Sequence, residues 1–144
     1  QEEGEKLIQT LRDHATKYSH HFLETKKLKD SYQDQVKERL IQRFEKDAKE
    51  LSIDQPRFLQ EVIYYLEKLD IDEEVNRIQI HLEKLESVLA SDGEVGRQID
   101  FLIQELNRET NTIGSKSGNG IISENVVQMK VQLEKIREQA LNLQ

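Results

Sequence analysis

The sequence has no cysteine, a single proline and six glycines in 144 residues. Each scarcity removes a class of explanation. Without cysteine there are no disulfides, no thiol nucleophile and no cysteine-ligated metal. An intracellular, cytoplasmic protein fits that composition. With one proline and so few glycines, little punctuation remains for many short strands. No apolar run approaches the roughly 18 residues a membrane-spanning helix needs. The start, Gln1-Glu2-Glu3, is acidic and reads neither as a signal peptide nor as a native initiator end. Basic residues are also short: 21 Lys and Arg stand against 28 Asp and Glu, a net charge of -7. That argues against a surface that grips phosphate everywhere, but not against a local basic patch.

Apolar residues make up 35% and charged residues 34% of the chain. Leu, Ile, Val and Phe lie above the roughly 20% floor below which chains stay disordered. The abundance of Glu, Lys, Gln and Leu favours long helices, so the expected fold class is all-α. The pattern predicts a helix over 5–28, with Leu7, Leu11, His14, Tyr18, His21/Phe22, Thr25 and Leu28 in 4-3 spacing. This is a weak coiled-coil seam, because several positions are polar. Lys26, Lys27, Lys29 and Asp30 read as a polar break. A second helix over 31–51 carries Tyr32, Val36, Leu40 and Phe44 on one side. Residues 1–52 are thus expected as a long antiparallel helical hairpin, followed over 53–144 by a bundle of about four helices.

In that bundle, Asp54 is an expected N-cap with Pro56 in the first turn. Asp72 is the expected cap of the next helix, whose Ile71, Val75, Ile78, Leu82, Leu85 and Leu89 repeat at heptad spacing. Gly93 can take the positive φ that ends it. A helix over 95–113 is expected to stop at Gly114, and Ser115–Gly120 reads as the most flexible stretch. A last helix spans about 122–143. No strand pattern competes, and no internal repeat is evident.

The 95–113 helix is the unusual one. Its outer face carries Asp100, Gln104, Asn107, Arg108 and Asn111, and a neighbouring stripe carries Arg97, Glu105 and Glu109. Solvated helices prefer Glu and Lys, and mid-helix Asn is locally unfavourable. Amides both donate and accept, which suits either polar glue between helices or a site for phosphate, base or metal. Glu74, Arg77 and His81 form one stripe at i, i+3, i+7. His81 with its neighbouring carboxylates suits either a rim ion pair or proton and metal chemistry. His14, His20 and His21 read as seam or surface residues. Lys116 sits in Ser115–Gly120, which lacks the strand and the order of a P-loop and reads at most as a lid with one lysine.

Over 96–116, Gly96-Arg97, Asp100-Phe101-Leu102, Gln104-Glu105, Asn107-Arg108-Glu109, Asn111-Thr112 and Gly114-Ser115-Lys116 closely resemble the signature of the YicC/YloC family of bacterial proteins. Glu74-x-x-Arg77-x-x-x-His81-Leu82, Gln60-Glu61-Val62, Val126-Val127, Lys130, Lys135-Ile136-Arg137-Glu138-Gln139 and Asn142 extend the likeness. Thr110 stands where the family usually has alanine. Family members are about twice this length, and the chain resembles their C-terminal half. A fragment lacking a mixed α/β N-terminal half is the corresponding expectation.

The resemblance implies a divalent-metal-dependent endoribonuclease (Mn²⁺ or Mg²⁺) that acts on single-stranded or small regulatory RNA. It also implies a ring-like oligomer, a hexamer, enclosing RNA. On that basis His81, Glu105 and Glu109 are the expected catalytic and metal-holding residues. Arg77, Arg97, Arg108 and Lys116 would hold phosphate, and Asn107 and Asn111 would orient bases or ribose hydroxyls. The alternative is a non-catalytic helical scaffold that assembles the ring or recruits an RNA-degrading partner.

Overall fold

The computed structural model of the chain describes residues 2–51, 55–91 and 93–143. Among the described residues five α-helices follow one another: α1 (Glu2–Leu51), α2 (Gln55–Leu69), α3 (Asp72–Leu89), α4 (Gly96–Lys116) and α5 (Gly120–Ala140), with a 3-10 turn at Leu141–Leu143. No strand occurs among the described residues, so the all-α expectation holds.

The expected turn at 26–30 does not exist: α1 runs unbroken for 50 residues. The segment is polar but holds neither glycine nor proline, and lysine is a good helix former. Its polarity has another use. Lys29 Nζ donates to Asp30 (2.9 Å) and to Asp72 on α3 (2.7 Å). These bonds, the one to Asp72 foremost, raise the Lys29 pKa above its ordinary value. The supposed break is therefore a rivet between α1 and α3. The hairpin is made instead by α2, which folds back on the distal half of α1. Phe44 and Phe58 stack there with ring centroids 4.6 Å apart, and Gln33 donates to Asp70 at 3.0 Å.

The proximal half of α1 lies on the bundle. Leu11, Tyr18 and Phe22 are fully buried with Ile99, Leu106 and Met129. α4 is the central element and packs on both α3 and α5. Pro56 does fall in the first turn of α2, while Asp54 lies outside the described residues. Asp72 is not a cap but the first residue of α3, whose N-cap is Ile71. Asp70 takes over the polar role by accepting from Asp72 N at 2.9 Å.

Gly93 is not in the left-handed region, and α3 has already closed at Ala90 in right-handed geometry. Gly114 likewise sits within α4 and does not end it. A Cβ there would come 3.0 Å from Val126 Cγ1, so this glycine permits the close approach of α5.

The stretch expected to be flexible is a short capped turn. Asn119 accepts from Ile121 N and Ile122 N at 2.9 and 3.0 Å. Gly118 N donates to the Tyr32 hydroxyl at 2.9 Å. Its polar groups are spent on capping, which removes the lid reading.

Candidate active site on the α3–α4 face

Helices α3 and α4 lie antiparallel, and the polar stripe of each faces the other along the groove between them. The first crossing pairs Glu74 with Lys116, whose Nζ donates to Glu74 Oε1 at 2.6 Å and to the Asp70 carbonyl at 3.1 Å. Next, Arg77 approaches Glu109 at 3.6 Å and Glu73 at 3.2 Å. Arg108 binds Glu105 at 2.7 Å and Glu109 at 3.3 Å. Further along, His81 Nε2 stands 3.9 Å from Glu105 Oε2, close enough for charge interaction but too far for a hydrogen bond.

Burial divides these groups by sign. The Glu109 side chain is 3% exposed, whereas Arg77 and Arg108 are 50% and 64% exposed. A carboxylate taken out of water is costly unless paired, and here both guanidiniums lean over it. Each guanidinium presents several N–H donors in a planar fork. One edge held from below leaves other donors facing solvent, where a phosphate oxygen is the natural acceptor. Glu74 is also buried, and its Oε2 has no hydrogen-bond partner among the described residues.

The structure thus gathers His81, Glu105, Glu109, Arg77 and Arg108, all expected from the sequence, and adds Glu73 and Glu74. Glu74 was legible as the first member of the Glu74–Arg77–His81 stripe but not as a buried partner. Lys116 belongs to the same groove, yet it is committed to Glu74 and Asp70 and ties the end of α4 to the start of α3. The other expected residues lie elsewhere. Arg97 is further along α4, in a cleft with Lys84 and Phe101. Asn107 and Asn111 are exposed and lie on another flank of α4, about 200° around the helix from Glu105 for Asn107. They are not buried against α5, so they are not polar glue.

That role falls to residues the sequence reading passed over. The side-chain oxygens of Asn125 and Gln132 on α5 accept from His21 (2.8 Å) and His14 (2.9 Å) of α1. Between them the Tyr18 hydroxyl meets Thr110 Oγ1 at 2.8 Å, with both residues fully buried. Burial, above all, pushes the Tyr18 phenol well above its ordinary value, with the Thr110 bond opposing and the Glu109 charge adding. The signal was present: polar residues seven apart on α5 face polar seam positions on α1.

The expected three-ligand metal set does not fit this geometry. Among the described residues no three His, Asp or Glu side chains group to hold a metal ion. Glu109, the third expected ligand, is 3% exposed beneath Arg77 and Arg108, while Glu105, though held by Arg108 at 2.7 Å, is more open. His81 and Glu105 are the one expected pair that stands together.

Comparison with known proteins gives the groove a context. A family model described as "Endoribonuclease YicC-like, C-terminal" matches residues 25–144. The probable endoribonuclease YicC of Clostridioides difficile is 42% identical over 144 residues, covering 99% of this chain and 49% of that protein. The probable endoribonuclease YicC of Haemophilus influenzae is 46% identical over 108 residues, 75% of this chain and 37% of that protein. The chain spans about half the length, or less, of these relatives. With most of its length matched by the family model, the chain belongs to the YicC-like endoribonuclease family and corresponds to the C-terminal part of its members.

Proposed function

We propose that this chain is the helical part of an endoribonuclease for single-stranded or small regulatory RNA, with the α3–α4 groove as its working face. The observation that carries the reading is the buried Glu109 carboxylate beneath two solvent-facing guanidiniums, Arg77 and Arg108, beside the His81–Glu105 pair. Cleaving a phosphodiester requires a proton taken from the attacking hydroxyl and charge stabilised at phosphorus. His81 Nε2 takes the proton as the attacking oxygen bonds to phosphorus, and the Glu105 carboxylate stabilises the resulting imidazolium. The P–O bond to the leaving ribose oxygen breaks with that oxygen protonated by water. Arg77 and Arg108, fixed by Glu109, neutralise the charge that develops on the phosphate oxygens. Asn107 and Asn111 belong to a separate contact with the strand on the outer flank of α4.

A divalent cation, Mn²⁺ or Mg²⁺, would supply Lewis-acid polarisation of the phosphate, with Glu105 as its donor from this chain while His81 Nε2 stays free for the proton. Further ligands would have to come from water, substrate or other parts of the longer protein. The steps above belong to the side chains and water alone.

The scaffold reading has its own support. α2 exposes Leu59, Ile63, Tyr64 and Tyr65, and neighbouring apolar residues on one arm suit an assembly contact in a ring-like oligomer. The two readings separate in one experiment. Cleavage of a single-stranded RNA is measured with Mn²⁺, using the longest natural form that carries this chain. His81→Ala and Glu105→Ala are expected to slow it by roughly 10²-fold or more, the usual contribution of a general acid–base group. Unchanged rates would remove both residues from the chemistry. Altered assembly mass in Asn107→Ala and Arg108→Ala, with cleavage intact, would favour the scaffold.

A further inference from the structure

We propose that Lys84, Arg97 and Phe101 form a base-stacking subsite for single-stranded RNA, displaced along the groove from the His81–Glu105 pair. The proposal rests on the RNA reading above and deepens it. Phe101 lies on α4 with 59% of its surface exposed. One exposed phenylalanine is ordinary, but this one forms the wall of a shallow cleft of about 250 Å³ shared with Lys84, Arg97, Gln98 and Leu102. Ile80, one turn before Lys84 on α3, is likewise exposed, at 61%.

The charges select the occupant. Arg77, Arg108 and Lys116 each meet a carboxylate. Lys84 and Arg97 have no ion pair among the described residues, in a chain whose net charge is -7. Two uncommitted cations flanking an exposed ring match a nucleotide, which offers a π-face to stack and a phosphate to neutralise. An apolar protein surface would use the ring and leave both cations unpaired.

The spacing agrees. Phe101 precedes Glu105 by four residues, about 6 Å of helix rise. Stacked nucleotides advance by about 3.4 Å per strand. A base on Phe101 therefore lies one or two nucleotides from a phosphate held at His81 and Arg108. Lys84 and Arg97 hold the backbone on either side of the stacked base. The subsite would make the enzyme sensitive to whether a base is present and unpaired at that one position, since a paired base cannot splay onto the ring.

The test uses a short fluorescein-labelled single-stranded RNA, the same strand with one abasic position moved along it, and a duplex control. Phe101→Leu should weaken binding of the intact strand roughly 5- to 100-fold, the range for loss of one base–aromatic stack. Phe101→Tyr should restore it, and the abasic strand should lose its dependence on Phe101. Lys84→Ala and Arg97→Ala should each reduce the salt slope by about 0.7, as for one single-strand phosphate contact, with no effect of base identity.

If wild type binds and cleaves RNA while Phe101→Leu matches it, the subsite is wrong and the groove reading survives. Absence of any RNA binding by wild type overturns both. A change in assembly mass on Phe101→Leu, with RNA affinity unchanged, makes the ring a protein contact and also overturns the subsite.

Discussion

The α1–α5 seam and the α3–α4 groove are both rich in polar residues, yet they use them in opposite ways. In the seam, side chains pair without a carboxylate or a guanidinium: His14 with Gln132 and His21 with Asn125 between α1 and α5, and Tyr18 with Thr110 of α4 beside them. Each pair spends its hydrogen bonds between two helices and leaves little to offer a ligand. In the groove, the anions Glu74 and Glu109 are buried and their cationic partners are half exposed. That arrangement leaves N–H donors pointing out of the protein. Buried polar groups therefore have two distinct meanings in this fold. Where the partners meet inside a helix–helix contact they specify how helices dock, and where a buried anion meets an exposed cation it positions the exposed one.

The largest expected effect separates the two regions by activity. Arg108→Ala should slow RNA cleavage by roughly 10- to 100-fold, the loss of one charge-assisted contact to phosphate. Its effect on stability should be modest, about 1 kcal/mol, because Arg108 is well exposed and Arg77 still covers the buried Glu109 carboxylate. Cleavage assays paired with urea melts decide this. A stability loss as large as that of a core truncation would make the groove structural and erase the contrast.

The seam should show the reverse. Tyr18→Phe leaves the Thr110 hydroxyl with its own backbone acceptor, the Leu106 carbonyl at 2.6 Å, and should cost about 1 kcal/mol while cleavage stays within twofold. Its pH signature is distinctive. The folded-state pKa of Tyr18 is raised, so the unfolded chain releases that proton first. Its contribution is complete below the ordinary value of about 10 and is lost as pH rises above it. Lys29, raised by Asp72 and Asp30, acts in the same window with the same sign. Equilibrium unfolding should therefore weaken above about pH 10, and Tyr18→Phe should flatten that fall. An identical alkaline profile for wild type and variant would contradict the buried phenol.

The smallest effect belongs to the outer amides. Asn111→Ala should leave stability within about 0.5 kcal/mol, with a slight gain from helix propensity. A loss above about 1 kcal/mol in thermal or urea melts would mean Asn111 is glue after all.

Much of this was legible because helices announce themselves through local periodicity. α3, α4 and α5 fall where the apolar spacing placed them, and the Glu74–Arg77–His81 stripe was visible as i, i+3, i+7. Errors cluster where a residue's partner is distant in sequence. Lys29 looked like a break because Asp72 on α3 could not be seen from α1. Gly114 looked like a cap because Val126 was not known to lie against it. Glu109 looked like a metal ligand because nothing local revealed that Arg77 would reach it from the neighbouring helix. Phe101 drew no comment as a ligand contact, since only the packing of α3 on α4 shows that Lys84 stands beside it.

What the sequence determined by itself was therefore the set of helices, the absence among the described residues of a helix apolar enough to cross a membrane and, through its motifs, the family. These depend on hydrogen bonds and side-chain spacing within a few turns, which the local sequence controls. Tertiary structure alone decided that α1 runs straight through its lysine cluster, that α2 supplies the return arm, and which cations are committed and which are left open. Those outcomes depend on which charges and surfaces meet across helices, and the meeting is fixed only when the core closes around Leu11, Ile99, Leu106 and Met129.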